Sequence, residues 1–197
     1  SFLILASLIA KDSQIIIKNV GLNPTRIGLL KILQMMGGKI TTTIDPNNSY
    51  EIKGSIKVKS SELHGINVPR KLIPLSIDEL PLVFLAAACA KGTTIIRNAT
   101  ELRFKESDRI TAMASLLSQL SIEVKEFNDG LTINGGVMSG GEIDSFGDHR
   151  IAMTALIASA CSQADILVHN TENIDTSFPN FVETMNQLGM DIIDPES

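Results

Sequence analysis

Three short runs of charge carry the residue types that move protons and hold anions. They are Ile77-Asp78-Glu79-Leu80-Pro81, Lys105-Glu106-Ser107-Asp108-Arg109 and Gly147-Asp148-His149-Arg150. Together they offer carboxylates for acid–base work at Asp78 and Glu106, an imidazole at His149, and cations at Lys105, Arg109 and Arg150. Each run opens an apolar stretch. Ile110, Met113, Ala114 and Leu117 recur with helical period; Ser107 or Asp108 would cap that helix, and Arg109 would lie in its first turn. A cation there opposes the helix dipole, at about 0.3–1 kcal/mol. Asp148 followed by His149 and Arg150 repeats the placement. Basic groups set against the dipole make sense where an anion binds, because backbone N–H groups and guanidinium then act on it together. Taken singly, each run also reads as a solvated ion-pair face or a plain helix cap, Asp78 included. Their recurrence at one kind of place, a helix start, is what sets them apart.

That recurrence belongs to a repeat. Ile15-Ile16-Ile17-Lys18-Asn19, Thr94-Ile95-Ile96-Arg97-Asn98 and Ile166-Leu167-Val168-His169-Asn170 each read as a β-branched strand ended by Asn. A turn, a helix and a second strand follow each: Lys39-Ile40, Ile122-Glu123-Val124 and Asp191-Ile192-Ile193. An apolar helix precedes each unit, over 2–10, 79–90 and 150–161. The Asn positions 19, 98 and 170 are about 70–80 residues apart, too far for a solenoid. Three large units of one plan predict a pseudo-threefold domain. The apolar helices are expected in its middle and the strands in outer sheets. Asn23-Pro24 and Ser177 with Pro179 predict helix starts, and Gly37 and Gly189 predict left-handed helix stops. Asp45-Pro46-Asn47-Asn48 and Asn134-Gly135-Gly136 read as turns; Tyr50-Glu51-Ile52-Lys53 and Ile56-Lys57-Val58-Lys59 read as half-exposed strands.

Composition narrows the classes. The 197 residues suit one large domain or two small ones. The hydrophobic fraction is 44% with only 4% aromatics and no Trp, so Ile, Leu, Val, Ala and Met must build the core. A net charge of −5 argues against a nucleic-acid binder. The apolar opening, about ten residues long, is too short to span a bilayer and lacks a signal peptide's basic start. Cys89 and Cys161 lie in apolar runs and read as small buried hydrophobes of a reducing compartment, neither a disulfide framework nor a metal site. No Cys or His spacing suggests a metal site.

At the charged runs the chain resembles a known family. Lys105-Glu106-Ser107-Asp108-Arg109 and Asp148-His149-Arg150 are similar to the two C-terminal signatures of the 5-enolpyruvylshikimate-3-phosphate synthases. Asp78, twelve residues before Ala90-Lys91-Gly92-Thr93-Thr94, is similar to that family's catalytic aspartate. The likeness extends over essentially the whole chain. It implies an α/β fold of three βαβαββ units arranged as an inverted α/β barrel, one of two such domains. Residues 1–197 would be most of the C-terminal domain. The N-terminal domain, with a Ser-Ser pair for shikimate-3-phosphate and further phosphate-binding basic residues, would lie upstream. That only Ser1 precedes the first apolar run also leads us to expect more chain before it.

The resemblance further implies a cytoplasmic transferase without cofactor or metal, joining phosphoenolpyruvate to shikimate-3-phosphate and touching neither nucleic acid nor membrane. Asp78 would bind the 5-hydroxyl of shikimate-3-phosphate and take its proton, with Lys105 at the same hydroxyl. Glu106 would protonate the methylene carbon of phosphoenolpyruvate. Arg109 and Arg150 would clamp its carboxylate, and His149 would be a supporting donor. Asp78 and Glu106 are then expected in different protonation states. In one place the chain departs from many members, which carry a Lys just before Thr-Phe-Pro. Asp175-Thr176-Ser177-Phe178-Pro179 has none and resembles the second class, often insensitive to glyphosate; no phosphate ligand is assigned there. Two rival readings remain. The UDP-N-acetylglucosamine enolpyruvyl transferases share the fold but carry other motifs at these places. A non-catalytic repeat module for protein partners would scatter Asp78, Glu106, Arg109 and Arg150 over the surface.

Overall fold

The computed structural model describes residues 1–46 and 51–194. The turn expected over 45–48 and the strand expected from Tyr50 fall partly outside them. The first repeat runs α1 (Phe2–Ile9), β1 (Gln14–Gly21), α2 (Gly28–Met35), β2 (Lys39–Ile44) and β3 (Lys53–Lys59). The second runs α3 (Leu80–Ala88), β4 (Thr93–Ile96), α4 (Arg109–Gln119), β5 (Glu123–Phe127) and β6 (Gly130–Asn134). The third runs β7 (Gly141–Asp144), α5 (His149–Ala158), β8 (Ile166–His169), α6 (Ile174–Ser177) and α7 (Phe181–Gln187). The first two repeats build the same antiparallel sheet, in the orders β1-β3-β2 and β4-β6-β5.

The apolar helices take the middle. Every residue of α3 is buried, as expected of a helix apolar all round. α1, α3 and α5 pack against one another. The sheets lie outside, turning Ile56, Val58, Leu131 and Ile133 into the core and alternate residues outward. This is the three-repeat α/β arrangement with interior helices that the sequence predicts. Its periodicity reaches individual dihedrals. Asn19, in the bulge of β1, and Asn98 and Asn170, just beyond β4 and β8, all adopt the left-handed conformation, with φ of 56°, 66° and 59°. Gly37, Ser121 and Gly189 end the three outer helices in the same region, with φ of 96°, 67° and 96°. In each case the next residue's N–H returns to the helix's last turn: Gly38 to Leu33, Ile122 to Leu117, Met190 to Met185.

A left-handed residue with a Cβ strains the backbone by about 1–2 kcal/mol unless it is Asn or Asp. Asn98→Ala should therefore destabilise the domain by about 1 kcal/mol and Asn98→Gly by almost nothing. The backbone N–H of Asn98 keeps its bond to Asp129 in both variants. Equal urea midpoints for Ala and Gly would show that the conformation carries no strain.

Three expectations need correction. α2 begins at Gly28, not beside Asn23: the Asn23 carboxamide accepts from the N–H and hydroxyl of Thr25 at 3.0 and 2.8 Å, closing a turn before the helix. Ser177 ends α6 instead of capping the next helix. Pro179 disfavours the helical region at Phe178, and α7 restarts behind a left-handed Asn180. The strand expected at 191–193 does not form. The amide of Asn186 takes both backbone groups of Ile192, at 2.8 and 2.7 Å, in place of a neighbouring strand. Among the described residues the third sheet is the parallel pair β7–β8.

Candidate active site

Arg109, which opens α4, is the hub of the charged cluster. Asp108 caps the helix by accepting from Ile110 and Thr111 N–H at 3.2 and 3.1 Å. That fixes the Arg109 side chain inward, and it is only 1% exposed. Its Nε donates to Asp148 Oδ2 at 2.8 Å, its Nη2 to Glu106, and its Nη1 stands 3.7 Å from Asp78. Asp148 is fully buried at the cap of α5. Besides Arg109 it accepts from Arg150 N–H at 2.9 Å and the Ser107 hydroxyl at 3.0 Å. One carboxylate thus caps its own helix and holds the first turn of another.

Asp78 arrives on the segment Pro74–Glu79, a 3-10 run ahead of α3. Glu79, not Asp78, stands at the cap position of α3, so the Asp78 carboxylate is free to face the cluster. The segment is pinned by the buried Ser76 hydroxyl, which donates to Leu72 O at 2.8 Å. Gly28 backs it closely: a Cβ there would fall 2.4 Å from Leu75 O. Lys105 Nζ reaches Asp78 Oδ1 at 3.3 Å and Glu101 at 2.7 Å. Arg150 Nη1 donates to the backbone carbonyl of Asp78 at 3.0 Å. His149 and Arg150 are half-buried on the first turn of α5, and the His149 ring joins none of these bonds. Glu106 is half-exposed, with its side chain at 54%.

The electrostatics follow from this packing. Burial pushes Asp78 upward, but the hydrogen bond and charge of Lys105, with Arg150 and Arg109 behind it, bring it below the ordinary Asp value. Asp148 is likewise raised by burial and lowered further by Arg109, Arg150 N–H and Ser107. Lys105 is raised, chiefly by its hydrogen bond to Glu101, against some burial and with help from Asp78. Both aspartates are therefore ionised at neutral pH. The result is an open face of alternating charge at the starts of α3, α4 and α5, in which Glu106, Asp78 and Lys105 retain contact with solvent.

Asp78, Lys105, Glu106, Arg109 and Arg150, nominated from sequence, thus form one bonded cluster, with His149 adjoining. The structure adds groups that sequence reading left unassigned. Asp148 was legible as a cap but not as the buried partner of Arg109. Ser107, offered with Asp108 as a cap of α4, leaves the cap to Asp108 and donates to Asp148 instead. Arg103 anchors the approach to α4 through Asp108 at 2.6 Å, Glu126 at 2.9 Å and the carbonyls of Phe127 and Asn128; only the tertiary placement of β5 reveals it. Among the described residues no three His, Cys, Asp or Glu side chains group to hold a metal ion, and no helix is long and apolar enough to cross a membrane.

This fold is the one of the enolpyruvyl transferases. The crystal structure of the enolpyruvyl transferase NikO from Streptomyces tendae superposes with a TM-score of 0.74 at 20% identity, over 96% of this chain and 42% of that one. The match sharpens with EPSP synthase from Acinetobacter baumannii: TM-score 0.92 and 40% identity, over 95% of this chain and 44% of that one. The sequence model of the family described as EPSP synthase (3-phosphoshikimate 1-carboxyvinyltransferase) matches residues 1–185, and the chain belongs to that family. It is 46% identical over 192 residues to the 3-phosphoshikimate 1-carboxyvinyltransferase of Legionella pneumophila (strain Lens) and 43% identical to that of Coxiella burnetii (strain RSA 493 / Nine Mile phase I). In both cases 98% of this chain is covered but only 44% of the relative, so the chain spans under half the length of these proteins.

Proposed function

We propose that residues 1–197 are most of the C-terminal domain of a cytoplasmic enzyme that transfers the enolpyruvyl group of phosphoenolpyruvate to the 5-hydroxyl of shikimate-3-phosphate. The observation that supports this reading best is the joining of Asp78, Lys105, Glu106, Arg109 and Arg150, from separate repeats, into one cluster open to solvent. A non-catalytic module has no reason to gather them. Asp78 accepts the proton of the attacking hydroxyl, whose oxygen bonds to the central carbon of phosphoenolpyruvate. Lys105 holds that hydroxyl and the charge of Asp78. Glu106 delivers a proton to the methylene carbon. The same methyl group then gives a proton back as phosphate departs, leaving the enol ether. Arg109 and Arg150 neutralise the carboxylate of phosphoenolpyruvate, with His149 as a further donor. Asp78 stands among Lys105, Arg109 and Arg150, which keep it ionised and able to accept a proton, whereas Glu106 pairs with Arg109 on the solvent side.

Binding follows from the same arrangement. Arg109 already serves three carboxylates, so an incoming anion competes with the exposed Glu106 and Asp78 while the buried Asp148 keeps its hold. The remaining phosphate ligands, and the second wall of the cleft, belong to the N-terminal domain proposed as partner. The chain alone should therefore fold and release no phosphate. Mixed with the N-terminal half of one of its relatives, it should release phosphate only when both substrates are present. UDP-N-acetylglucosamine in place of shikimate-3-phosphate should give none. Absence of phosphate release from a full-length protein that contains this sequence would overturn the reading.

A further inference from the structure

We propose that Cys89 and Cys161 form a dithiol site that closes to an intramolecular disulfide by exchange with a small disulfide, cross-linking the second and third repeats. The two residues are 72 apart in sequence, yet their sulfurs stand 3.2 Å from each other. Cys89 follows the last turn of α3, and Cys161 lies just beyond α5, its thiol donating to Ala158 O at 3.3 Å. Both are free and half-buried against the core, so the expectation of small buried hydrophobes holds in part, and their pairing is what the structure adds. A disulfide needs its sulfurs about 2.05 Å apart. Closure therefore asks for roughly 1 Å of sulfur movement, within side-chain reach, on two helices already packed together.

The pair is also accessible. Both cysteines line a cavity of about 270 Å³ whose walls include Ser61, Glu62, Gly136 and Gln163. Hydrogen bonding to Cys161, and then burial, push the Cys89 thiol well up; the proposed first step is exchange at Cys161. In that step the Cys161 thiolate attacks one sulfur of the small disulfide and expels one thiol, which takes up a proton. Cys89 loses its proton and attacks the Cys161 sulfur of the mixed disulfide, expelling the second thiol. Two electrons pass from the cysteine pair to the small disulfide, and the atoms balance.

The site is separate from the charged face. α3 has 9 residues and α5 has 10, so their cysteine ends lie about 14–15 Å along the helices from the ends that carry the cluster. The expected consequence is a stapled domain and not a change in chemistry. The test incubates the full-length protein with oxidised glutathione, followed by intact mass, peptide mapping and thermal melting. The expected result is a product lighter by two hydrogens, a Cys89–Cys161 linked peptide, and a melting transition raised by about 5 °C that dithiothreitol reverses. Cys89→Ser should stop the reaction at a glutathione adduct on Cys161. A persistent adduct on the unsubstituted protein, or two unreacted thiols after prolonged incubation, would overturn the proposal. The peptide map of the unsubstituted protein decides by itself, even where the variant folds poorly.

Discussion

Asp148→Ala should destabilise the domain by about 3 kcal/mol, the lower part of the range for breaking a buried ion pair. The variant leaves the guanidinium of Arg109, 1% exposed, without its buried partner. It also strips the cap from α5 and the acceptor from Ser107. Glu106 and Asp78 remain near Arg109, which keeps the loss from the upper end of the range. In urea the midpoint should fall by about 1–2 M. Asp148→Asn keeps one acceptor oxygen, enough for the cap of Arg150 N–H, but loses the second oxygen and the charge that Arg109 and Ser107 meet, and should recover only part of the loss. Acid supplies an independent readout. The folded Asp148 lies below the ordinary Asp value, so its contribution is complete above the unfolded pKa of about 3.9 and is lost as pH falls through the folded value. The unsubstituted domain should lose more stability than Asp148→Ala between about pH 5 and pH 3. A loss below about 1 kcal/mol would mean that Arg109 re-pairs freely and that the bridge does not organise the site.

The other large effect is on catalysis and spares the fold. Glu106→Gln in the full-length enzyme should lower kcat by about 100- to 10,000-fold, the usual contribution of a positioned acid or base. The amide matches the carboxylate in shape but cannot deliver the proton that the proposed reaction asks of Glu106. Stability should change by less than about 1 kcal/mol, because this ion pair has a half-exposed partner. Phosphate release and thermal melting measure the two effects on one preparation. Activity within about threefold of the unsubstituted enzyme would remove Glu106 from the proton transfer. The two variants thus separate roles that one cluster is proposed to combine: Asp148 holds Arg109 from the buried side, and Glu106, on the solvent side, is the proposed acid.

What could be read from the sequence was what neighbouring residues decide among themselves. The apolar runs of α1, α3 and α5 had to be buried whatever surrounds them. Asp148 had to cap, and so did Ser107 or Asp108, because an oxygen at a helix start meets unsatisfied N–H groups within three residues; the structure gives the second cap to Asp108. Asn19, Asn98 and Asn170 marked the repeat because Asn tolerates the left-handed turn that each unit needs. The charged runs then fell at helix starts by spacing alone. Tertiary structure decided the partnerships. Arg109 finds Asp148 39 residues away, Arg103 finds Glu126 23 residues away, and Cys89 finds Cys161 72 residues away. It also made Arg109, expected in the first turn of its helix as a cation for an anion, a buried hub, and set Asn186 against Ile192 where a strand was expected. The reason is range. Caps, turns and hydrophobic period act within a few residues and leave a mark on the local sequence. An ion pair or sulfur contact across repeats depends on how whole helices pack, which no short window of sequence contains.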